Sequence, residues 1–187
     1  MNRSTLDKLI SSTGLLIAIV LLAASGGLFY TYTFIHSQVH DQLAEQKITF
    51  PEAGSESLNA LPGEDKKMVA KYAGQELVTG AQAKVFADNY IAVHLKETGG
   101  GKTYAEVSTA SRANPTDAKL AGQVQVLFRG ETLRGLLLNA YAFDTMAIVA
   151  RYAAFASLAV GIILLLLALL GFRHAGAVAK GQSKKRS

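Results

Sequence analysis

The chain has 187 residues, half of them hydrophobic, with no cysteine and a formal net charge of +5. That length allows one domain or slightly more, and the lack of cysteine excludes disulfides and thiolate metal sites as the forces holding it together. The charge is uneven: residues 35–146 carry 11 Lys and Arg against 13 Asp and Glu, while Arg173, Lys180, Lys184, Lys185 and Arg186 form a tail without acids.

The first eight residues hold Arg3 and Lys8 against Asp7. An uncharged run of 27 residues follows, Leu9 to Ile35, longer than the roughly 20 needed to cross a bilayer core as a helix. Ala23-Ala24-Ser25 has the small residues of a signal-peptidase site. The run nevertheless far exceeds the about 7–15 residues of a signal-peptide core. It also ends in Phe29, Tyr30, Tyr32 and Phe34, a belt of aromatics suited to a membrane interface. An uncleaved anchor over 9–35 is expected. Gly14 precedes Ala18, and Ala23 precedes Gly27, by one helical turn; small residues so spaced let transmembrane helices approach closely.

Residues 36–146 read as a helical domain. Ser37–Gln46 extends the first span, and 48–63, with two of the three prolines, reads as an irregular loop. A short helix over Lys66–Tyr72 stops at Gly74. Thr79 and Gln82 form a capping-box pair that opens a helix with an apolar stripe of Val85, Phe86, Tyr90, Ala92 and Val93. Gly99-Gly100-Gly101 ends it. Thr103 and Glu106 repeat the capping signature for a helix to about Ala113, and Asn114-Pro115 offers an N-cap and first-turn proline for the next. That helix takes Leu120, Val124, Leu127 and Phe128, and after Gly130 an apolar segment leads into the second span.

The second span covers 147–172, uncharged from Tyr152 to Phe172, with Arg151 at its edge able to snorkel to headgroups. Ala153, Ser157 and Gly161 repeat the small-residue spacing. Packing of the two spans on each other is the expected use, with self-association as the alternative. Basic flanks around a mildly acidic middle place residues 1–8 and 173–187 in the cytoplasm and the middle outside. The basic tail then serves orientation and anionic lipid rather than nucleic acid. The fold expected is all-α: a two-helix transmembrane hairpin carrying a small helical extracytoplasmic domain.

No motif points to catalysis. Gly99-Gly100-Gly101-Lys102-Thr103 resembles the end of a phosphate loop, but the glycine required five residues before Gly101 is Lys96, and a helix precedes it where the motif needs a strand. His36 and His40 share a helix face and could take a metal with Asp41 or Glu45, though they are only weak candidates without a third ligand. His94 stands alone. Glu64 and Asp65 sit in a charged run beside Lys66 and Lys67, and Ser55 and Ser57 lack a neighbouring histidine base. No cofactor is expected.

The segments ITFPEAGSESL, YAGQELVTGAQAKVFADNYIAVHLKE, GGKTYAEVS and QVQVLFRGETLRGLLLNAYAF resemble a family of small actinobacterial two-span membrane proteins, mostly uncharacterised. The resemblance runs from residue 48 to about 172. Automatic naming often makes them aromatic ring-opening dioxygenases. Such chemistry wants histidines and a carboxylate around iron with open positions, a setting His36, His40 and His94 lack. The resemblance implies the two-span topology. The function expected is a non-catalytic accessory or scaffold subunit of a plasma-membrane complex, respiratory or envelope, with the bilayer and a membrane protein or a second copy as partners. The alternative is an extracytoplasmic sensor or ligand-binding module, for which Phe86, Tyr90, Val124 and Phe128 would enclose an apolar pocket.

Overall fold

The computed structural model describes residues 3–184; Lys185 and Arg186 of the basic tail lie outside them. Among the described residues every regular element is helical: α1 (Arg3–Glu45), α2 (Glu56–Asn59), α3 (Gly63–Ala70), α4 (Gly80–Val85), a π-helical turn (Phe86–Ile91), α5 (Ala92–Thr98), α6 (Tyr104–Ala113) and α7 (Ala118–Lys184). The chain divides into two compact units, one of the segments up to Phe34 and from Ala147 onward, the other Ile35–Met146. Helices α1 and α7 are both long and apolar enough to cross a membrane.

In the first unit the ends of α1 and α7 lie antiparallel. Ser4 Oγ donates to the Ala175 carbonyl at 3.2 Å, and Ser25 Oγ donates to the Ala154 carbonyl at 3.0 Å. Ser11, Ala18 and Ser25 are buried on α1, and Ala147, Ala154, Gly161, Ala168 and Ala175 on α7. Both series step by seven. A strict seven-residue repeat keeps one seam facing a partner helix, and small side chains on it let the backbones come close. The outward faces carry Leu16, Ile19, Val20, Ile163 and Leu166, each exposed.

The second unit closes on an aromatic and aliphatic core. Phe50, Leu43, Leu77, Leu127, Leu137, Val69 and Val107 are its most deeply buried large side chains. Phe50 packs edge-on against Phe86 with ring centroids 5.2 Å apart, an arrangement aromatic quadrupoles favour, and at a tilt against Tyr72 at 5.3 Å. The loop over 48–63 is more ordered than its prolines imply. Leu77 N–H donates to Ile48 and Phe50 N–H to Gln75, forming a bridge at Thr49 and Glu76, and Ser55 caps α2.

Both capping boxes form, at Thr79–Gln82 and Thr103–Glu106. The helix after Thr79 widens into the π turn at Phe86–Ile91 before continuing as α5; the 3.6-residue pattern carries no mark of that inserted residue. Its end at Gly99 matches the glycine run: Gly100 and Gly101 adopt φ of +60° and +81°, and their N–H groups return to Glu97 and Lys96.

The entry to α7 corrects the sequence reading. Asn114 closes α6, with its N–H donating to the Ala110 and Ser111 carbonyls. The N-cap of α7 is Asp117, whose Oδ1 accepts from the N–H of Lys119 and Leu120 at 2.9 and 3.0 Å. Nor does Gly130 interrupt α7, which is continuous from Ala118. Glycine sits there because the Leu95 side chain fills the space a Cβ would take.

Candidate functional site

The residues singled out in the sequence distribute unevenly over the first unit. Ala18 and Gly161 are buried in the seam, Gly14 approaches Ala168, and Ala153 and Ser157 are half-buried beside it. Ala23 and Gly27 are exposed, with open space where a Gly27 side chain would project. Ser25 takes the seam between them because the repeat is seven, not four. At Gly161 a Cβ would meet Leu22 Cγ and Cδ2 at 3.1 Å and the Ala18 carbonyl at 3.4 Å. The residues that four-residue spacing passes over (Ser4, Ser11, Ser25, Ala154, Ala168, Ala175) were legible as paired heptads of small side chains. At the far edge of this unit the Arg151 guanidinium lies over the Tyr32 and Tyr152 rings, 5.1 and 5.4 Å from their centroids, so its charge is held by aromatic faces.

The polar cluster of the second unit is built by α1, α4, the π turn and α7. His36 Nδ1 lies 2.8 Å from Asp144 Oδ1, with the aspartate side chain 7% exposed and the histidine 44%. Gly80, the first residue of α4, faces Asp144 closely enough that a Cβ would stand 2.5 Å from the Asp144 Cβ. One turn on, Lys84 Nζ binds Asp88 Oδ2 at 2.6 Å and lies 5.3 Å from the Tyr141 ring centroid. Arg134 adds a 3.0 Å bond to Asp88 Oδ1. Burial alone would push the Asp88 carboxyl up, but the hydrogen bonds from Lys84 and Arg134 outweigh it and hold it below the usual carboxylate value. The same bond to Asp88 raises Lys84.

The metal candidates separate. His36 bonds Asp144, whereas His40 Nδ1 pairs with its neighbour Asp41 at 3.2 Å on an exposed face. Among the described residues no group of three or more His, Asp or Glu converges to hold a metal. His94 Nδ1 donates to the Tyr90 carbonyl at 2.8 Å. Glu64 pairs with Lys67 while Asp65 accepts from Asn89, so the adjacent carboxylates have separate partners. The Thr103 hydroxyl of the phosphate-loop lookalike is taken up with Glu106.

Phe86 belongs to the core cluster, with Tyr90 and Val124 packed at its edge. Phe128 is 54% exposed and packs at a tilt against Tyr104, with ring centroids 5.9 Å apart, so the four do not enclose a common pocket. Leu127 takes the inward position instead. The outer face of α7 in this unit leaves Phe128, Leu136, Phe143 and Met146 exposed. At 100° per residue they fall within one quarter of the helix surface, a stripe that sequence reasoning assigned to the core or left unread. No family model, no curated protein and no solved structure matches the chain.

Proposed function

We propose that the protein is a two-pass plasma-membrane subunit that scaffolds a larger membrane complex without catalysing a reaction, its termini cytoplasmic and its helical domain extracytoplasmic. The observation that carries this reading is the exposed stripe of Phe128, Leu136, Phe143 and Met146 on α7. Water-facing aromatic and aliphatic side chains aligned on one face mark interaction surfaces. Because α7 itself continues into the apolar span, the partner best suited to the stripe is a membrane protein whose helix also runs on past the bilayer. The polar pairs of the second unit are used internally, His36 by Asp144 and Asp88 by Lys84 and Arg134, which supports a structural rather than a chemical role for them.

The test is co-purification from gently solubilised membranes, comparing the native chain with Leu136→Asp. Leu136 is 59% exposed, so the substitution leaves the fold intact, as helical circular dichroism would verify. Reproducible partners that disappear with Leu136→Asp support the proposal. A chain that runs as a lone monomer counts against it, and self-assembly lost in the variant would make the partner a second copy. The sensor reading would need a small ligand held by the domain, detectable as a thermal shift that Leu136→Asp leaves unchanged.

A further inference from the structure

We propose that the open end of the hairpin, between the start of α1 and the end of α7, is a binding site for an aminophospholipid, with the lipid ammonium on Asp7. A cavity of about 460 Å3 opens between the two helices there, with Ile10, Leu164, Leu167 and Leu170 as apolar wall and Asp7 and His174 as polar groups. Gly14, Gly171 and Ser11 also line it, the Ser11 hydroxyl taking the space a Gly171 side chain would fill. Asp7 Oδ2 is buried and accepts no hydrogen bond. His174 Nε2 stands 3.9 Å away, beyond hydrogen-bond length. A buried carboxylate oxygen without a donor is costly, and among the described side chains none donates a hydrogen bond to it.

The placement selects the donor. Asp7 lies two residues before the apolar run begins at Leu9, and His174 two after Phe172, so the mouth sits at headgroup depth. The wall from His174 down to Leu164 extends roughly 15 Å along the helix axis, enough for the upper part of an acyl chain. The carboxylate needs an N–H. Ethanolamine headgroups carry three on a primary ammonium; choline headgroups carry the same charge with none. The imidazole of His174, 59% exposed, remains for the adjoining phosphate. The basic tail attracts anionic lipid without regard to the headgroup nitrogen, so selectivity for ethanolamine over choline isolates Asp7.

The full-length protein in detergent would be equilibrated with phosphatidylethanolamine, phosphatidylcholine or phosphatidylglycerol, and retained lipid read by native mass spectrometry. The expected result is retention of phosphatidylethanolamine on the order of tenfold above phosphatidylcholine, the range of a charge-assisted hydrogen bond. Asp7→Asn should lose that preference while keeping its thermal unfolding midpoint within a few degrees. Equal retention of the two zwitterionic lipids by the native chain overturns the proposal without recourse to a variant. So does a preference that survives in Asp7→Asn, or retention of phosphatidylglycerol alone.

Discussion

Replacing Gly161 by leucine should weaken the hairpin, whereas the same change at Gly27 should not. A Cβ at Gly161 already meets Leu22 at 3.1 Å and the Ala18 carbonyl at 3.4 Å, while at Gly27 nothing lies within 4 Å. Three further heavy atoms at Gly161 must displace Leu22 or push the helices apart. Overpacking of that kind costs about 1–3 kcal/mol. Separation would also strain the bond from Ser25 to the Ala154 carbonyl, of the sort worth roughly 0.6 kcal/mol within membranes. For a chain of this size each kcal/mol moves the midpoint by about 2–4 °C, so Gly161→Leu should lower it by roughly 2–12 °C and Gly27→Leu should leave it within about 2 °C. Circular dichroism melts in detergent at low protein concentration give both numbers. Equal loss at the two glycines would refute a seven-residue seam and restore the four-residue one. Because the chain has no cysteine, the pair Ser25→Cys with Ala154→Cys offers an independent check: the two should cross-link within one molecule.

His36→Ala should cost about 1–3 kcal/mol in thermal or urea unfolding, since it leaves a nearly buried Asp144 without its 2.8 Å partner; Asp144→Asn in the same background should recover part of the loss. Asp88→Asn should destabilise by about 1 kcal/mol, a modest figure because the pairs are part-exposed. The Asp88 carboxyl is lower in the folded chain than its ordinary value of 3.8. The native chain's advantage over Asp88→Asn is therefore full above that pH and should vanish as pH falls below it; an advantage that grows on acidification would contradict the pairing of Asp88 with Lys84 and Arg134. Thr79→Ala should cost about 1 kcal/mol by removing the cap that accepts from Gln82 N–H, seen as earlier loss of helicity with little change in the spans.

Capping explains why much of the second unit could be read from local chemistry. Thr79, Thr103 and the Gly99–Gly101 run act through hydrogen bonds to residues three to five positions away, and such signals are complete within a short window of sequence. The choice between Asn114 and Asp117 was not, because both are capping residues near a proline and the turn between them decides which helix each serves. Gly130 misled for a related reason. A glycine in a helical pattern reads as a stop, and only the arrival of Leu95 from another helix shows that it makes room.

By itself the sequence determined the two apolar helices, the helical character of what lies between them and the starts of the helices capped by Thr79 and Thr103. Each of these depends on composition or on neighbours along the chain. Tertiary structure alone decided the rest: the pairing of His36 with Asp144 across 108 positions, the exposure of Phe128 where Leu127 goes inward, and the seam that takes Ser25 and leaves out Ala23 and Gly27. A helix shows several apolar or small-residue faces at once. Which face is buried depends on the partner helix, and only the packed structure supplies one.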